Sequence, residues 1–235
     1  VFLLEGKIYK LGNKEGYRQF WAIYHKPPKA EYRNYLLERR DSLIPIDERS
    51  FKGAYYTPLN VVDKAYDKLT ETLGNNWQKN YIVWDMCCGV GNLEVKHSNP
   101  RNIFMSTLDS ADIDVMKATK TCVAAQRFQY DYLNDDITDD GKIDYTLTNK
   151  VPKALQEAIA EGKKILVLIN PPYAEAGNTL GKESKDSVAK TKIASTAMSE
   201  YGKASSELFT QFIARIAQEM PTATVAMFSK LKYVT

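Results

Sequence analysis

From residue 53 onward, short apolar segments alternate with longer segments of helical periodicity. The clearest apolar segment is residues 164–169 (KILVLI), which is typical of a strand buried on both faces. Strands that alternate with helices form parallel sheets, because each crossover helix returns the chain to the edge where the next strand begins. The sequence therefore predicts an α/β fold with a mostly parallel sheet.

Five strands and four helices follow from this pattern. The predicted strands lie at residues 81–84, 103–108, 127–130, 164–169 and 224–228. The predicted helices lie at residues 57–73, 112–118, 152–161 and 206–220. Residues 174–204 are polar without a clear core face, and we expect a mobile loop there that becomes ordered over a cofactor or DNA. A plain surface insertion fits the same composition.

The N-terminal part has a different, mixed pattern. Residues 2–10 and 19–25 have strand character, a turn is predicted at residues 12–14, and residues 31–40 form a predicted helix. We therefore divide the chain into a leader or cap at residues 1–52 and a core at residues 53–235. Because the chain begins with a valine, we expect it to be a piece of a longer polypeptide.

The composition narrows the class of protein. A hydrophobic content of 44% with 26% charged residues is ordinary for a globular enzyme, and no run approaches the ~18 apolar residues of a membrane span. The three cysteines, of which Cys87 and Cys88 are adjacent, predict no disulfide framework and favour a reducing cytoplasm. Two histidines without a Cys-x-x-Cys pair argue against a metal site. The net charge of +3 is too small to indicate a nucleic-acid partner.

A glycine-containing turn at residues 85–92 (DMCCGVGN) follows the first core strand. Gly89 and Gly91 would let the backbone approach a nucleotide-type ligand closely. Glu94 stands where a dinucleotide-binding turn has its third glycine, and the phosphate-binding G-x-x-x-x-G-K-[ST] loop does not occur here. NAD and ATP are therefore disfavoured, while a tight turn that needs glycine for its own geometry remains an alternative.

Two aspartates follow the next two strands. Asp109 lies about 20 positions after the glycine turn, where a carboxylate can accept hydrogen bonds from ribose hydroxyls. Asp131 would accept a hydrogen bond from an adenine amino group. Each is also typical of a solvated turn, and the further aspartates at positions 135, 136, 139 and 140 predict an acidic surface.

The most informative motif is Asn170-Pro171-Pro172-Tyr173, directly after residues 164–169. Two prolines in series keep the chain extended and stiff, and a strand-ending turn is the weaker alternative. The side-chain oxygen of Asn170 and the carbonyl of Pro171 can accept both protons of an exocyclic amine. Tyr173 offers a stacking surface for an extruded base. The motif therefore fits methylation of an exocyclic amine.

A further element, residues 53–58 (GAYYTP), precedes the first core helix. A helix N-terminus with Thr57 as its cap can bind a carboxylate, such as that of a methionine moiety. Tyr56 and Thr57 are therefore candidate ligand-binding residues, although an isolated helix cap has the same sequence.

Together these motifs resemble the adenine-N6 DNA methyltransferases, over about residues 50–234 and in the same order and spacing. The resemblance is strongest to the methylase domains of restriction-modification enzymes, including those fused to a nuclease. Their glycine turn usually reads Asp-Pro-x-Cys-Gly-x-Gly. Asp85, Cys88, Gly89 and Gly91 match this pattern, whereas Met86 replaces the proline.

The resemblance implies a Rossmann-like S-adenosylmethionine-dependent methyltransferase fold that stops after the fifth strand, before the target-recognition domain. It implies a cofactor site at Tyr56, Thr57, Asp85, Cys88, Gly89, Gly91, Asp109 and Asp131. It implies that a flipped adenine of double-stranded DNA binds at Asn170, Pro171, Pro172 and Tyr173. No metal and no covalent intermediate are expected. A nuclease and a specificity domain, fused or separate, are expected partners.

Other functions share part of this pattern. Protein-glutamine methyltransferases that modify release factors, and some RNA guanine-N2 enzymes, have N-P-P-Y but lack the Tyr-Thr-Pro element before the glycine turn. A non-catalytic cofactor- or DNA-binding module of a modification complex is a further alternative. The complete Asn170-Pro171-Pro172-Tyr173 motif argues against that module.

Overall fold

The computed structural model describes residues 57–173 and 191–229, together with residues 2–4, 7–9, 15, 18, 19 and 22 of the N-terminal part. Near the N-terminus, β1 (Phe2–Leu4) pairs antiparallel with β2 (Lys7–Tyr9). The predicted strand character is confirmed at residues 2–4 and 7–9, but the range 2–10 holds two antiparallel strands and not one, because Leu4 pairs with Lys7.

The second predicted N-terminal strand, over residues 19–25, was wrong at Gln19 and Ala22, which are helical, and the other residues of this range lie outside the described residues. Short apolar and aromatic runs fit a strand or one side of a helix equally well, and periodicity alone does not separate the two. The predicted turn at residues 12–14 and the predicted helix at residues 31–40 lie outside the described residues.

The core sheet confirms the predicted parallel α/β architecture and is Rossmann-like. Its strands are β3 (Ile82–Asp85), β4 (Ile103–Thr107), β5 (Gln126–Gln129), β6 (Ile165–Ile169) and β7 (Thr224–Met227). They run in the order β5-β4-β3-β6-β7, and every neighbouring pair is parallel. All five predicted strands are therefore present, with ends that differ by at most one residue.

Helices connect these strands. They are α1 (Leu59–Leu73), α2 (Trp77–Asn80), α3 (Ser110–Thr119), α4 (Lys153–Ala160), α5 (Lys192–Ser195) and α6 (Leu208–Glu219). Short 3-10 helices occur at Pro100–Asn102 and Gly202–Ser206. The four predicted helices correspond to α1, α3, α4 and α6. Within the described residues, no helix is long and apolar enough to cross a membrane.

Strand β3 is the centre of the sheet. Trp84 lies opposite Phe104 of β4 on one side and opposite Val167 of β6 on the other. Along the chain, β4 and β5 are added on one side of β3, and β6 and β7 are then added on its other side. The order of the strands thus reverses between β3 and β6, and open α/β sheets bind ligands beyond the carboxyl ends of the strands at such a point.

Both faces of the central strands are covered, which explains their continuous apolar sequences. Val83 and Trp84 are fully buried but belong to different hydrophobic clusters, one on each face of the sheet. In β6, Val167 packs in the cluster of Trp84, whereas Leu166 and Leu168 pack in the cluster of Val83. A strand in this position has no polar face. Its sequence therefore does not alternate between polar and apolar residues, and only apolar side chains fit.

The C-terminal end of the predicted polar loop belongs to the core. Ile193, Ala194 and Met198 are buried, and α5 packs near α6. The prediction of a stretch without a core face was therefore wrong for residues 191–204, where three isolated apolar side chains among polar neighbours gave no periodic signal. Residues 174–190 lie outside the described residues, so the loop hypothesis stays a prediction there.

A buried arginine attaches α6 to the connection that follows β5. The Arg215 guanidinium donates hydrogen bonds to the carbonyl of Tyr132, to the carbonyl of Asp135 (2.8 Å) and to the Tyr130 hydroxyl (2.6 Å). It also lies 4.3 Å from the centre of the Tyr132 ring. Because residues 130–135 contain Asp131, this contact fixes the backbone around a candidate site residue.

The counter-charge of this arginine is Glu219, one helical turn later. The two side chains are 3.5 Å apart and essentially unexposed. The Glu219 carboxylate also accepts hydrogen bonds from the hydroxyls of Tyr132 (2.5 Å) and Tyr145 (2.6 Å). The charges are thus paired and hydrogen-bonded, which is the condition under which a buried ion pair is tolerated.

We expect Arg215→Met to lower the free energy of unfolding by about 3–5 kcal/mol, because it leaves the Glu219 carboxylate buried without its cation. Arg101→Met is the matched control, since Arg101 is exposed at the surface. Chemical denaturation of both variants measures the difference. Equal effects of the two substitutions would show that the buried pair does not hold α6 in place.

Candidate functional site

The predicted site residues that the structure describes meet at the carboxyl edge of the sheet. The glycine turn follows β3, Asp109 follows β4, Asp131 follows β5 and Asn170 follows β6. The turn and the Asn170 motif touch across the reversal of strand order, where the Cys87 thiol donates to the Asn170 carbonyl at 3.5 Å. Two motifs 83 positions apart in the sequence thus form one site.

The glycine turn is fixed to the ends of two strands. The Asp85 carboxylate accepts a hydrogen bond from the Cys87 amide (2.8 Å), and the Cys88 amide donates to the Ser106 carbonyl on β4 (3.0 Å). Cys88 itself is buried, and burial raises the pKa of its thiol well above the usual value. A neutral, inaccessible thiol supports the backbone of the turn and offers no nucleophile.

Both glycines of the turn have left-handed backbone conformations, with φ of +53° at Gly89 and +85° at Gly91. A side chain at Gly91 would place its Cβ 2.6 Å from the Met105 side chain and 3.1 Å from Thr121. Gly91 is therefore required by the packing of the turn itself. The alternative interpretation, that the turn needs glycine for its own geometry, accounts for this position without a ligand.

Two acidic side chains are buried beneath the turn. Asp85 and Glu94 are 0% and 1% exposed and contact each other. Burial raises the pKa of Asp85 to about 6 and the pKa of Glu94 well above its usual value, because the charged forms lose water. Outside this pair, no described group bonds the second oxygen of Asp85 or either oxygen of Glu94. A proton held between the two carboxyl groups relieves their repulsion.

Glu94 was not predicted as a site residue, because in the sequence this position is notable only as the place of a missing third glycine. The sequence did carry one signal, because this carboxyl group stands directly after a glycine turn and has an apolar residue on each side, Leu93 and Val95.

Thr57 occupies a different position from the one predicted. The residue that caps α1 is Pro58, without a side-chain hydrogen bond, so Thr57 does not cap this helix. Thr57 is instead buried, and its hydroxyl accepts a hydrogen bond from the Asn170 side-chain NH2 (3.1 Å). Its carbonyl accepts another from the Asn92 side chain (3.1 Å). Its neighbour Tyr56 lies outside the described residues.

The Asn170 amide is held from both ends. While its NH2 group donates to Thr57, its oxygen accepts a hydrogen bond from the Tyr173 hydroxyl (2.9 Å). The Tyr173 ring stacks on Phe209 at the start of α6, with 6.5 Å between ring centres and 19° between planes. Pro171 is buried and Pro172 half-buried. Phe209 falls within the helix predicted at residues 206–220, and no sequence pattern connects it with Tyr173.

The two candidate ligand carboxylates on the other half of the sheet are accessible. Asp109 is exposed, and one of its oxygens caps α3 by accepting from the Ala111 amide (2.9 Å). Asp131 is half-buried and accepts from the Leu133 amide (3.1 Å) and the Asn134 side chain (2.9 Å). Both lie just beyond the ends of neighbouring strands, so they face the same edge of the sheet.

The acidic surface predicted after Asp131 is interrupted. Asp136 is 1% exposed and accepts a hydrogen bond from the Thr148 amide (2.8 Å), so the prediction of a continuous surface was wrong at this position. The Asp144 amide also donates to the Asp136 carbonyl (2.8 Å). A carboxylate that accepts backbone amides organises a turn, and runs of acidic residues do not reveal which member does so.

Comparisons with known proteins identify the fold alone. No protein-family model and no curated protein sequence matches this chain. Among solved structures, a chain from the cryo-EM structure of a DrdV–DNA complex matches with a TM-score of 0.57 and 13% identity. The match covers 91% of this chain and 25% of that one, so this chain spans about a quarter of its structural neighbour.

The buried acid pair predicts a specific pH dependence. Because the folded-state pKa values of Asp85 and Glu94 are raised, their contribution to stability is present below about pH 4 and is lost as the pH rises through about 6 and above. We expect Glu94→Gln to remove much of this loss and to raise the free energy of unfolding at pH 8 by about 1–3 kcal/mol. Denaturation curves between pH 4 and 8 measure the effect.

The matched control for this experiment is Glu200→Gln, since Glu200 is exposed. We expect its denaturation curves to follow those of the unmodified protein at every pH. A Glu94→Gln variant that keeps the original pH dependence would contradict the shared proton.

Proposed function

We propose that this chain transfers a methyl group from S-adenosylmethionine to N6 of a flipped adenine in DNA, as the modification part of a restriction-modification system. The observation that carries this proposal is the contact between the glycine turn and the Asn170 motif at the reversal of strand order. A methyl donor and a target amine must meet at one point, and this edge brings together the elements suited to each.

The residues at the edge fit the proposed cofactor. The carboxylates of Asp109 and Asp131 suit hydroxyl and amino donors, and the buried acid pair of Asp85 and Glu94 favours a cationic ligand nearby. Cys88, Gly89 and Gly91 complete the proposed site in the described part of the chain. When bound, S-adenosylmethionine supplies a methyl group that its sulfonium charge makes electrophilic.

The residues of the Asn170 motif provide the amine chemistry. The Asn170 side-chain oxygen and the Pro171 carbonyl would accept the two N–H groups of the adenine amine, which leaves the nitrogen lone pair for the methyl group. The new N–CH3 bond would replace the sulfonium–methyl bond, with S-adenosylhomocysteine as the leaving group and one amine proton released to solvent. In this structure the Tyr173 hydroxyl donates to the same Asn170 oxygen, so the amine takes over an acceptor already oriented for a donor. Phe209 supports one face of the Tyr173 ring, and the ring offers a stacking surface to the base.

No described residue needs to act as a nucleophile in this scheme. Positioning and exclusion of water supply the catalysis, because the donor and the amine are held in reactive geometry by groups fixed to the sheet. The structural neighbour belongs to a DNA complex, which supports DNA as the substrate class. The choice of adenine and of a restriction-modification system rests on the motif resemblance.

Cofactor binding is the first test. We expect calorimetric titration with S-adenosylmethionine to give saturable binding, and Asp109→Ala to weaken it about tenfold to a hundredfold by removing two charge-assisted hydrogen bonds. Asp114→Ala is the matched control, since Asp114 is an exposed acid on α3, the helix that Asp109 caps. Equal affinity of the two variants would exclude Asp109 from the cofactor site.

The reaction itself is tested with isotope-labelled cofactor and three substrates in parallel: double-stranded DNA, RNA and a release factor. We expect label in DNA, recovered as N6-methyladenine by nucleoside mass spectrometry. Asn170→Ala should lower the rate by about a hundredfold or more while sparing cofactor affinity. Label in protein alone would favour a protein-glutamine methyltransferase, and cofactor binding without transfer to any substrate would favour a non-catalytic module.

A further inference from the structure

We propose that Thr57 is a positioning residue that holds the Asn170 side chain in the place where its amide can accept the target amine. The inference rests on the proposed methyl transfer and assigns to Thr57 a role different from the carboxylate-binding cap expected from its sequence context. The observation behind it is the hydrogen bond from the Asn170 NH2 group to the Thr57 hydroxyl, at 3.1 Å.

The orientation of this amide decides whether the site accepts an amine. An asparagine side chain rotates about two bonds, and each rotamer places its oxygen at a different point. The Thr57 hydroxyl can donate as well as accept, so it holds the rotamer of Asn170 whichever end of the amide it contacts. A fixed hydroxyl partner therefore determines where the amide of Asn170 lies relative to the substrate.

Thr57 is itself held in place by the glycine turn. Asn92, which is buried, donates to the Thr57 carbonyl at 3.1 Å. Thr57 is also buried, so its hydroxyl has a restricted set of positions. A continuous series of hydrogen bonds thus runs from Asn92 in the turn through Thr57 to Asn170 at the end of β6.

This series has a geometric consequence. The turn is the proposed cofactor site, and Asn170 is the proposed acceptor of the target amine. Thr57 therefore sets the position of Asn170 relative to the turn. A displacement of about 1 Å in such an arrangement costs about a hundredfold in rate. Thr57 therefore acts on the transfer step through Asn170 and is distinct from a residue that binds the cofactor carboxylate.

Two substitutions separate these roles. Thr57→Val keeps the shape of the side chain and removes the hydroxyl, whereas Thr57→Ser keeps the hydroxyl. We expect Thr57→Val to lower kcat by about tenfold to a hundredfold, with the Kd for S-adenosylmethionine changed less than threefold. Thr57→Ser should stay within about threefold of the unmodified protein in both quantities. A Thr57→Val variant with weakened cofactor binding and unchanged kcat at saturation would overturn the proposal.

A second readout does not depend on activity. The side-chain NH2 resonances of Asn170, assigned by their loss in Asn170→Asp, should shift in Thr57→Val and keep their positions in Thr57→Ser. Unchanged resonances in Thr57→Val would overturn the inference even if the rate fell. If the unmodified protein methylates no substrate, the proposed function fails, and the resonances alone decide whether Thr57 orients the amide.

Discussion

The site depends on the position of β3, which is hydrogen-bonded on both sides and covered on both faces. Because β4 and β6 are its two neighbours, the segments that follow these three strands necessarily meet at one edge. The crossover connections leave β3 in opposite directions, and this reversal leaves a crevice at the edge of the sheet. If all the crossovers ran in one direction, the crevice would be absent. Asp85 is the last residue of β3, and its carboxylate holds the glycine turn by accepting a hydrogen bond from the Cys87 amide.

Three pairs of polar groups lie at or beside this edge of the sheet. Asp85 with Glu94, Thr57 with Asn170, and Arg215 with Glu219 all lie in or beside the segments that follow the strands. A well-packed apolar cluster is often at least as stable as a buried ion pair. These groups do what apolar packing cannot, since hydrogen bonds fix the direction of an amide, a carboxylate or a carbonyl as well as its place.

The sequence predicted the sheet and the meeting of its motifs, because both follow from local patterns. A strand such as β6, buried on both faces, has no polar residues, and parallel strands place the segments after them at one edge. The partners of individual polar groups were not predictable in this way. Glu94, the contact of Thr57 with Asn170, and the pairing of Arg215 with Glu219 depend on which side chains the folded sheet brings together. The N-terminal hairpin and the buried part of residues 191–204 were missed because short apolar runs carry no period.

The separation of the contacting residues links function to folding. The hydrogen bond between Thr57 and Asn170 joins positions 113 apart, and the contact of Cys87 with Asn170 joins positions 83 apart. Neither contact forms in an isolated helix or hairpin, so the amide of Asn170 acquires its direction only when β3 and β6 are paired. A structural neighbour with 13% identity has the same fold, which shows that the pattern of buried strands tolerates wide changes in sequence. The position of one amide has less tolerance, because it depends on single hydrogen-bond partners such as the Thr57 hydroxyl, whereas many apolar side chains can fill the space around a buried strand.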